Sequence, residues 1–215
     1  MDAQAAVDRL NSQLPLKARQ GNLPPQLKAT HHYVLYSLVR NGRPPSHEEL
    51  IPLLGQDNVE AGLQRLGSDD LVVLDADGKK PVGAYPITIE ETPHKITVNA
   101  HTIHAMCALD AVSVAPMFDT EVHIESVCHV SQTPIAIHMQ GDKILDVQPS
   151  SEVTVGIRWR IPSGVAAHSM CTEMVFLKDR QTAEAWQDGD TENISLFSLT
   201  EAVAFGKSFF LPLLV

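Results

Sequence analysis

The sequence changes texture near residue 80, and this constrains the fold more than any other feature. Before Gly78 the apolar residues recur at helical spacing. After Tyr85 they fall into runs of strand length flanked by turn residues. Helices followed by strands imply an α+β protein rather than an alternating α/β one. Leu27, Val34, Leu35, Leu38 and Val39 predict a helix over 26–40, stopped by Asn41-Gly42. Ser46-His47-Glu48-Glu49 spells a capping box for a second helix that ends near Leu54-Gly55. Asp57-Asn58-Val59-Glu60 opens a third, striped by Val59, Leu63 and Leu66. Leu71–Leu74, a turn at Asp77-Gly78 and a second short run predict a β-hairpin. Three helices and a hairpin are the order of a winged-helix unit, so residues 1–80 are expected to form a winged-helix-like N-terminal domain.

Residues 81–215 are expected to form an α+β core of antiparallel strands with a few helices. The strand-like runs are Tyr85–Glu90, Lys95–Asn99, Glu121–Val127, Ile135–Met139, Lys143–Val147, Val153–Trp159 and Cys171–Leu177. Gly141-Asp142 suits a hairpin turn between two of them. Helices are predicted over 103–115, 182–188 and 198–210.

Charge narrows the function. The 215 residues carry 16 Lys+Arg against 26 Asp+Glu, a net charge of −10. Residues 1–80 are nearly balanced, with 9 basic and 10 acidic side chains, so the excess lies in the core. Such a chain is a poor polyanion binder. The candidate recognition helix, Asp57 to Gly67, leads with Asp57 and Glu60 and keeps its only basic residue, Arg65, near its tail. A groove-reading helix needs the opposite polarity. No nucleic-acid partner is therefore expected. No membrane partner is expected either, because no apolar run reaches 18 residues. The start, with Asp8 and Arg9 and no apolar stretch, does not read as a signal peptide. Three cysteines are too few for a disulfide framework. These features predict a cytoplasmic monomer with reduced thiols.

The stretch 102–118, Thr-Ile-His-Ala-Met-Cys-Ala-Leu-Asp-Ala-Val-Ser-Val-Ala-Pro-Met-Phe, holds one formal charge, Asp110. A helix apolar all round is a buried helix, and a carboxylate there must be paired or neutral. Helical spacing places Cys107 on the face of Asp110, with His104 three residues before it. Pro116 is expected to end the helix. A lone cysteine on an apolar helix is most often a small core residue. The acid is harder to explain that way. An ordinary thiol titrates near 8.5 and an ordinary Asp near 3.9, so proton transfer between them costs roughly 6 kcal/mol. Burial raises the acid, and a soft metal on sulfur lowers the thiol. A buried Cys/Asp pair thus suits passing a proton when a soft metal arrives. Acyl transfer, where His is the usual base, suits it poorly. Cys171 opens one strand-like run and Cys128 ends another. No two cysteines are close enough for a zinc-finger or CxxC motif. There is no GxxxxGK, GxGxxG or HExxH.

Ala105-Met106-Cys107-Ala108-Leu109-Asp110 resembles the signature of the organomercurial (alkylmercury) lyases of bacterial mercury resistance. Ser126-Val127-Cys128 leading to Thr133-Pro134-Ile135 is similar too, as are Ser169-Met170-Cys171, Thr182–Trp186 and Glu201–Gly206. The likeness runs at low density from about residue 25 to 210. It implies an enzyme that protonates the carbon of a carbon–mercury bond, giving a hydrocarbon and Hg(II). Cys107, Asp110 and Cys171 match the family's catalytic residues, with Cys107 and Cys171 as the mercury ligands. Cys128 matches a structural thiol. The chain departs from many members at Met106, where they carry an aromatic residue, and from some at Thr172, where they carry a cysteine.

The mechanism this implies begins with the organomercurial on one thiol, and Cys107 is favoured because Asp110 can take its proton. Cys171 then adds as second thiolate, and Asp110 protonates the carbon. No intrinsic cofactor is expected. External low-molecular-weight thiols would be needed for turnover, and mercuric reductase is a candidate acceptor of Hg(II). Two other readings stand beside this one. A metal-responsive winged-helix regulator would bind DNA. A non-catalytic thiol metal-binding protein would leave Asp110 without a role.

Overall fold

The structure, a computed structural model, describes residues 2–215. Helix α1 (Ala3–Gln13) starts where the Asp2 carboxylate accepts the Ala5 amide, and α2 (Leu16–Gly21) follows. Both lie outside the helices read from the sequence. The stripe of α1, Ala6, Val7 and Leu10, is short and diluted by polar residues, and it is buried against a helix at the far end of the chain. Helix α3 (Pro25–Asn41) buries Val34, Leu35, Leu38 and Val39 and closes on Gly42, whose φ is +65°. Helix α4 (His47–Leu54) begins at the expected capping box. The Ser46 hydroxyl accepts the Glu49 amide at 3.3 Å, and the Glu49 carboxylate accepts the Ser46 amide at 2.7 Å. Helix α5 (Val59–Ser68) turns Leu63 and Leu66 inward.

Strands β1 (Val73–Leu74) and β2 (Pro81–Ala84) form the expected hairpin. They continue into one antiparallel sheet with β3 (Ile87–Thr88), β4 (Lys95–Val98), β5 (His101–Ala105), β6 (Glu121–Val127), β7 (Pro134–Gln140) and β8 (Lys143–Gln148). Its strand order is β1-β2-β3-β5-β4-β6-β7-β8. Helix α6 (Ala108–Phe118) lies between β5 and β6 in sequence. A second antiparallel sheet centres on β9 (Thr154–Arg158), between β10 (Met174–Leu177) and β11 (Ile194–Ser198). Helix α7 (Arg180–Gln187) links β10 to β11, and α8 (Leu199–Phe210) follows. Helices with antiparallel sheets make this an α+β fold, as the sequence predicts. One apolar cluster runs from Ala6 to Leu213 and draws on both sheets. A small satellite of Leu50, Val59 and Leu63 sits between α4 and α5.

The structure differs from the predicted helix over 103–115. Residues 101–105 are strand β5, paired with β3 on one side and β4 on the other. Thr102 and Ile103 are β-branched, and two flanking strands satisfy their backbone better than a helix end would. The helix begins at Ala108 and passes through Pro116 to Phe118. Every residue from Ala108 to Met117 is buried, so packing outweighs the hydrogen bond that Pro116 forfeits. The helix runs between the large sheet and α8. Gly206 permits the close approach of α8, because a Cβ there would collide with the Ser113 hydroxyl. That hydroxyl donates to the Leu109 carbonyl at 2.6 Å.

Candidate active site

The site forms where β5 hands over to α6. Cys107 is the N-cap of α6, extended at φ −154° and ψ 179°, and its sulfur accepts the Asp110 amide at 3.3 Å. Cys107 and Asp110 therefore meet as cap and third helical residue, not as two residues on one helix face. The helix N-terminus favours a thiolate at the cap. His104 is not part of this group; it sits on β5 and hydrogen-bonds the Thr92 backbone.

Cys171 opens a single 3-10 turn, Cys171–Glu173, just ahead of β10 rather than on the strand itself. Its thiol donates to Asp110 Oδ2 at 3.7 Å, across 61 positions of sequence. Cys107 Sγ lies 3.7 Å from Met174 Sδ. The donor atoms of Cys107, Asp110 and Cys171 all lie within 4.8 Å of one another. Two metal–thiolate bonds of roughly 2.3 Å each reach about 4.6 Å when collinear, so the sulfurs are within bridging range. The structure thus brings together the three residues singled out in the sequence. It leaves Cys128 outside the group, buried beyond the end of β6. Burial pushes the Cys128 thiol up. The Ser131 hydroxyl and the backbone at Ser131, Lys178 and Val130 outweigh that and hold it below the usual thiol range.

Burial decides the electrostatics of the trio, whose side chains are nearly sealed from solvent. It raises the Asp110 carboxyl to about 7, against the opposing pull of hydrogen bonds from Cys107 and Cys171. Burial also pushes the Cys107 thiol well above its usual range, with the Cys171 hydrogen bond and the Asp110 charge adding to it. At Cys171 the hydrogen bond from Cys107 pulls down, but burial and Asp110 together push the thiol up. At rest the site therefore holds two thiols and an acid poised near neutrality. Two sulfurs and a carboxylate form a donor set for a soft cation.

A cavity of about 330 Å³ leads to this group, lined by Pro93, His94, Met106, Cys171, Met174 and Phe176. Cys171 stands on its wall, whereas Cys107 and Asp110 are not among its lining residues. Met106 and Thr172, the two departures noted in the sequence, both line it. His94 is buried, bonds Ser126 Oγ at 2.9 Å and meets Phe176 edge-on at 5.5 Å. Burial, with His104 nearby, lowers it to about 4, so it stays neutral. Sequence reasoning misses His94, since one histidine among ten carries no local signal. A roomier groove of about 620 Å³, lined in part by Thr154, Arg180, Glu184 and Glu201, contains none of the three residues.

The Cys171 loop is held from a distance. Asp70, just past α5, accepts the Tyr85 hydroxyl at 2.9 Å and the Ala166 amide at 3.1 Å. The Tyr85 oxygen in turn accepts the Ala167 amide at 2.8 Å. Arg19 lies 3.8 Å from Asp70. The helical N-terminal part thereby fastens the loop that carries the second thiol.

Known proteins resemble this chain in sequence and in fold. A family model for alkylmercury lyase matches residues 87–211, which include all three residues. The alkylmercury lyase of Bacillus cereus is 30% identical over 156 residues, covering 72% of this chain and 69% of that one. The alkylmercury lyase of Staphylococcus epidermidis is 27% identical over 175 residues, covering 80% and 78%. The fold matches the crystal structure of the mercury-bound form of MerB2 with a TM-score of 0.76, at 22% identity, over 93% of this chain and 98% of that one. On the family match and the Bacillus cereus relative, this chain belongs to the alkylmercury lyase family.

Proposed function

We propose that this chain cleaves carbon–mercury bonds by protonolysis, giving a hydrocarbon and Hg(II), with Cys107, Asp110 and Cys171 as the reacting groups. The observation that carries the reading is a buried carboxyl, raised by that burial, whose oxygen lies within 4.8 Å of two buried thiols. Such an acid can both take and give a proton at neutral pH. Sequence spacing favours Cys107 as the first thiol to bind. The cavity favours Cys171, which stands on the wall and already donates to Asp110. In this scheme the Cys171 sulfur binds R–Hg⁺ and its proton passes to Asp110. Cys107 adds as second thiolate, aided by the α6 N-terminus, and its proton leaves on the small thiolate that mercury exchanges for it. Two sulfur donors enrich mercury and weaken its bond to carbon. The Asp110 proton then goes to carbon as the carbon–mercury bond breaks, and Hg(II) stays between two thiolates. The sealed site keeps water off the proton.

Turnover on this scheme needs external thiols to remove Hg(II), with mercuric reductase as a further acceptor, and no resident cofactor. Residues 1–80 are read as a winged-helix-like brace for the Cys171 loop rather than a DNA reader. Among the described residues no helix is long and apolar enough to cross a membrane. A cytoplasmic monomer remains the expectation from sequence.

The test is benzene release from phenylmercury with excess thiol, followed by gas chromatography. Wild type should release benzene, while Cys107→Ser, Cys171→Ser and Asp110→Asn should not. No benzene from wild type would refute the function. Normal release from Asp110→Asn would refute the relay.

A further inference from the structure

A second cluster of metal-binding side chains lies away from the thiols, on the outer face of the large sheet. On β6, Glu121, His123 and Glu125 point outward while Val122 and Ile124 are buried. β7 pairs with it in register, so His123 stands directly opposite His138. The two rings stack with centroids 4.0 Å apart and planes within 16°. Glu121, two residues before His123 on the same face, brings Oε1 within 2.7 Å of His138 Nε2 and 3.6 Å of His123 Nε2. The three donor atoms all fall within 4.8 Å of one another.

We propose that Glu121, His123 and His138 form a binding site for a divalent ion of the zinc class. The donor set fits such an ion. Zinc takes imidazole nitrogen and carboxylate oxygen at roughly 2.0–2.2 Å, so tetrahedral donors sit about 3.4 Å apart. The separations from Glu121 Oε1 bracket that value. The metal takes the place of the proton between His138 and Glu121, and each imidazole then presents the Nε2 lone pair. Three protein donors leave the fourth position to water. Asp146 of β8 pairs with His138 in the ladder, so a second carboxylate flanks the site. All three donors come from paired strands, so binding leaves the backbone in place and requires the stacked rings to turn their Nε2 atoms onto one ion. With no sulfur, the site selects against soft mercury and for zinc, nickel or copper(II). It is thus chemically distinct from the Cys107, Asp110 and Cys171 group.

Zinc titration calorimetry on wild type, His123→Ala, His138→Ala and Glu121→Gln tests the proposal, with thermal melts confirming that each variant folds. Wild type should bind one zinc more than either histidine variant, and Glu121→Gln should weaken that site roughly tenfold. Cobalt(II) in the site should give visible bands that vanish in His138→Ala, without the near-ultraviolet absorption of sulfur-bound cobalt. Equal zinc stoichiometry and affinity in wild type and His138→Ala would overturn the proposal. So would a His138-dependent cobalt spectrum dominated by sulfur.

Discussion

Replacing Asp110 by Asn should stabilise the fold, and the gain should grow with pH. The carboxyl has an ordinary value of 3.8 and is raised to about 7 in the folded chain. Each tenfold change in proton affinity is worth about 1.4 kcal/mol, so burying the ionised form costs about 4 kcal/mol. The folded state binds the proton more tightly than the unfolded one. Stability is therefore fully present below about pH 4, is lost as pH rises from there to about 7, and is flat beyond. Asn has nearly the same shape and does not titrate, so its variant lacks that loss. Urea unfolding of both proteins from pH 5 to pH 8 would measure it. The variant's advantage should widen by roughly 3 kcal/mol over that window, levelling off above about 7. Parallel curves would refute the claim that a raised Asp110 is held in this site. A variant that is more stable and yet releases no hydrocarbon would show an acid retained for chemistry against the interest of the fold.

Gly206→Ala places a Cβ against the Ser113 hydroxyl and should destabilise the chain by roughly 1–3 kcal/mol in urea. A change within about 0.5 kcal/mol would contradict the close approach of α6 and α8. Tyr85→Phe removes the hydroxyl that donates to Asp70 and the oxygen that accepts the Ala167 amide. Stability should fall by about 1–3 kcal/mol, and hydrocarbon release should show a lower kcat with little change in KM. Unchanged kcat in a folded Tyr85→Phe protein would mean the Cys171 loop needs no fastening from Tyr85.

What could be read from the sequence was what local chemistry decides. The Ser46–Glu49 cap, the Gly42 stop and the alternating faces of β6 and β7 are written within a few residues each. The run 101–105, His-Thr-Ile-His-Ala, was not legible, because it holds too few apolar residues to show either period and only its neighbours β3 and β4 decide. The spacing of Cys107 and Asp110 correctly links them, but through a helix cap rather than a helix face. Cys171 was reachable only through family resemblance, since nothing local ties it to Asp110. Asp70, Tyr85 and His94 gave no signal, because their partners lie far along the chain.

The bonds from Asp70 and Tyr85 to the loop span 96 and 82 positions. Contacts over so much chain form late in folding, once the entropy of closing large loops has been met. The cap that sets Cys107 against Asp110 needs only the first turn of α6. That turn holds only when α6 is packed, and α6 is buried against α8, so Cys107 and Asp110 also reach their final places only once the C-terminal part of the chain is present. Unfolding should retrace the same seam, with the Cys171 loop leaving first. A mercury ion held by both cysteines would staple that seam, and the product complex should be the slowest form of the protein to come apart.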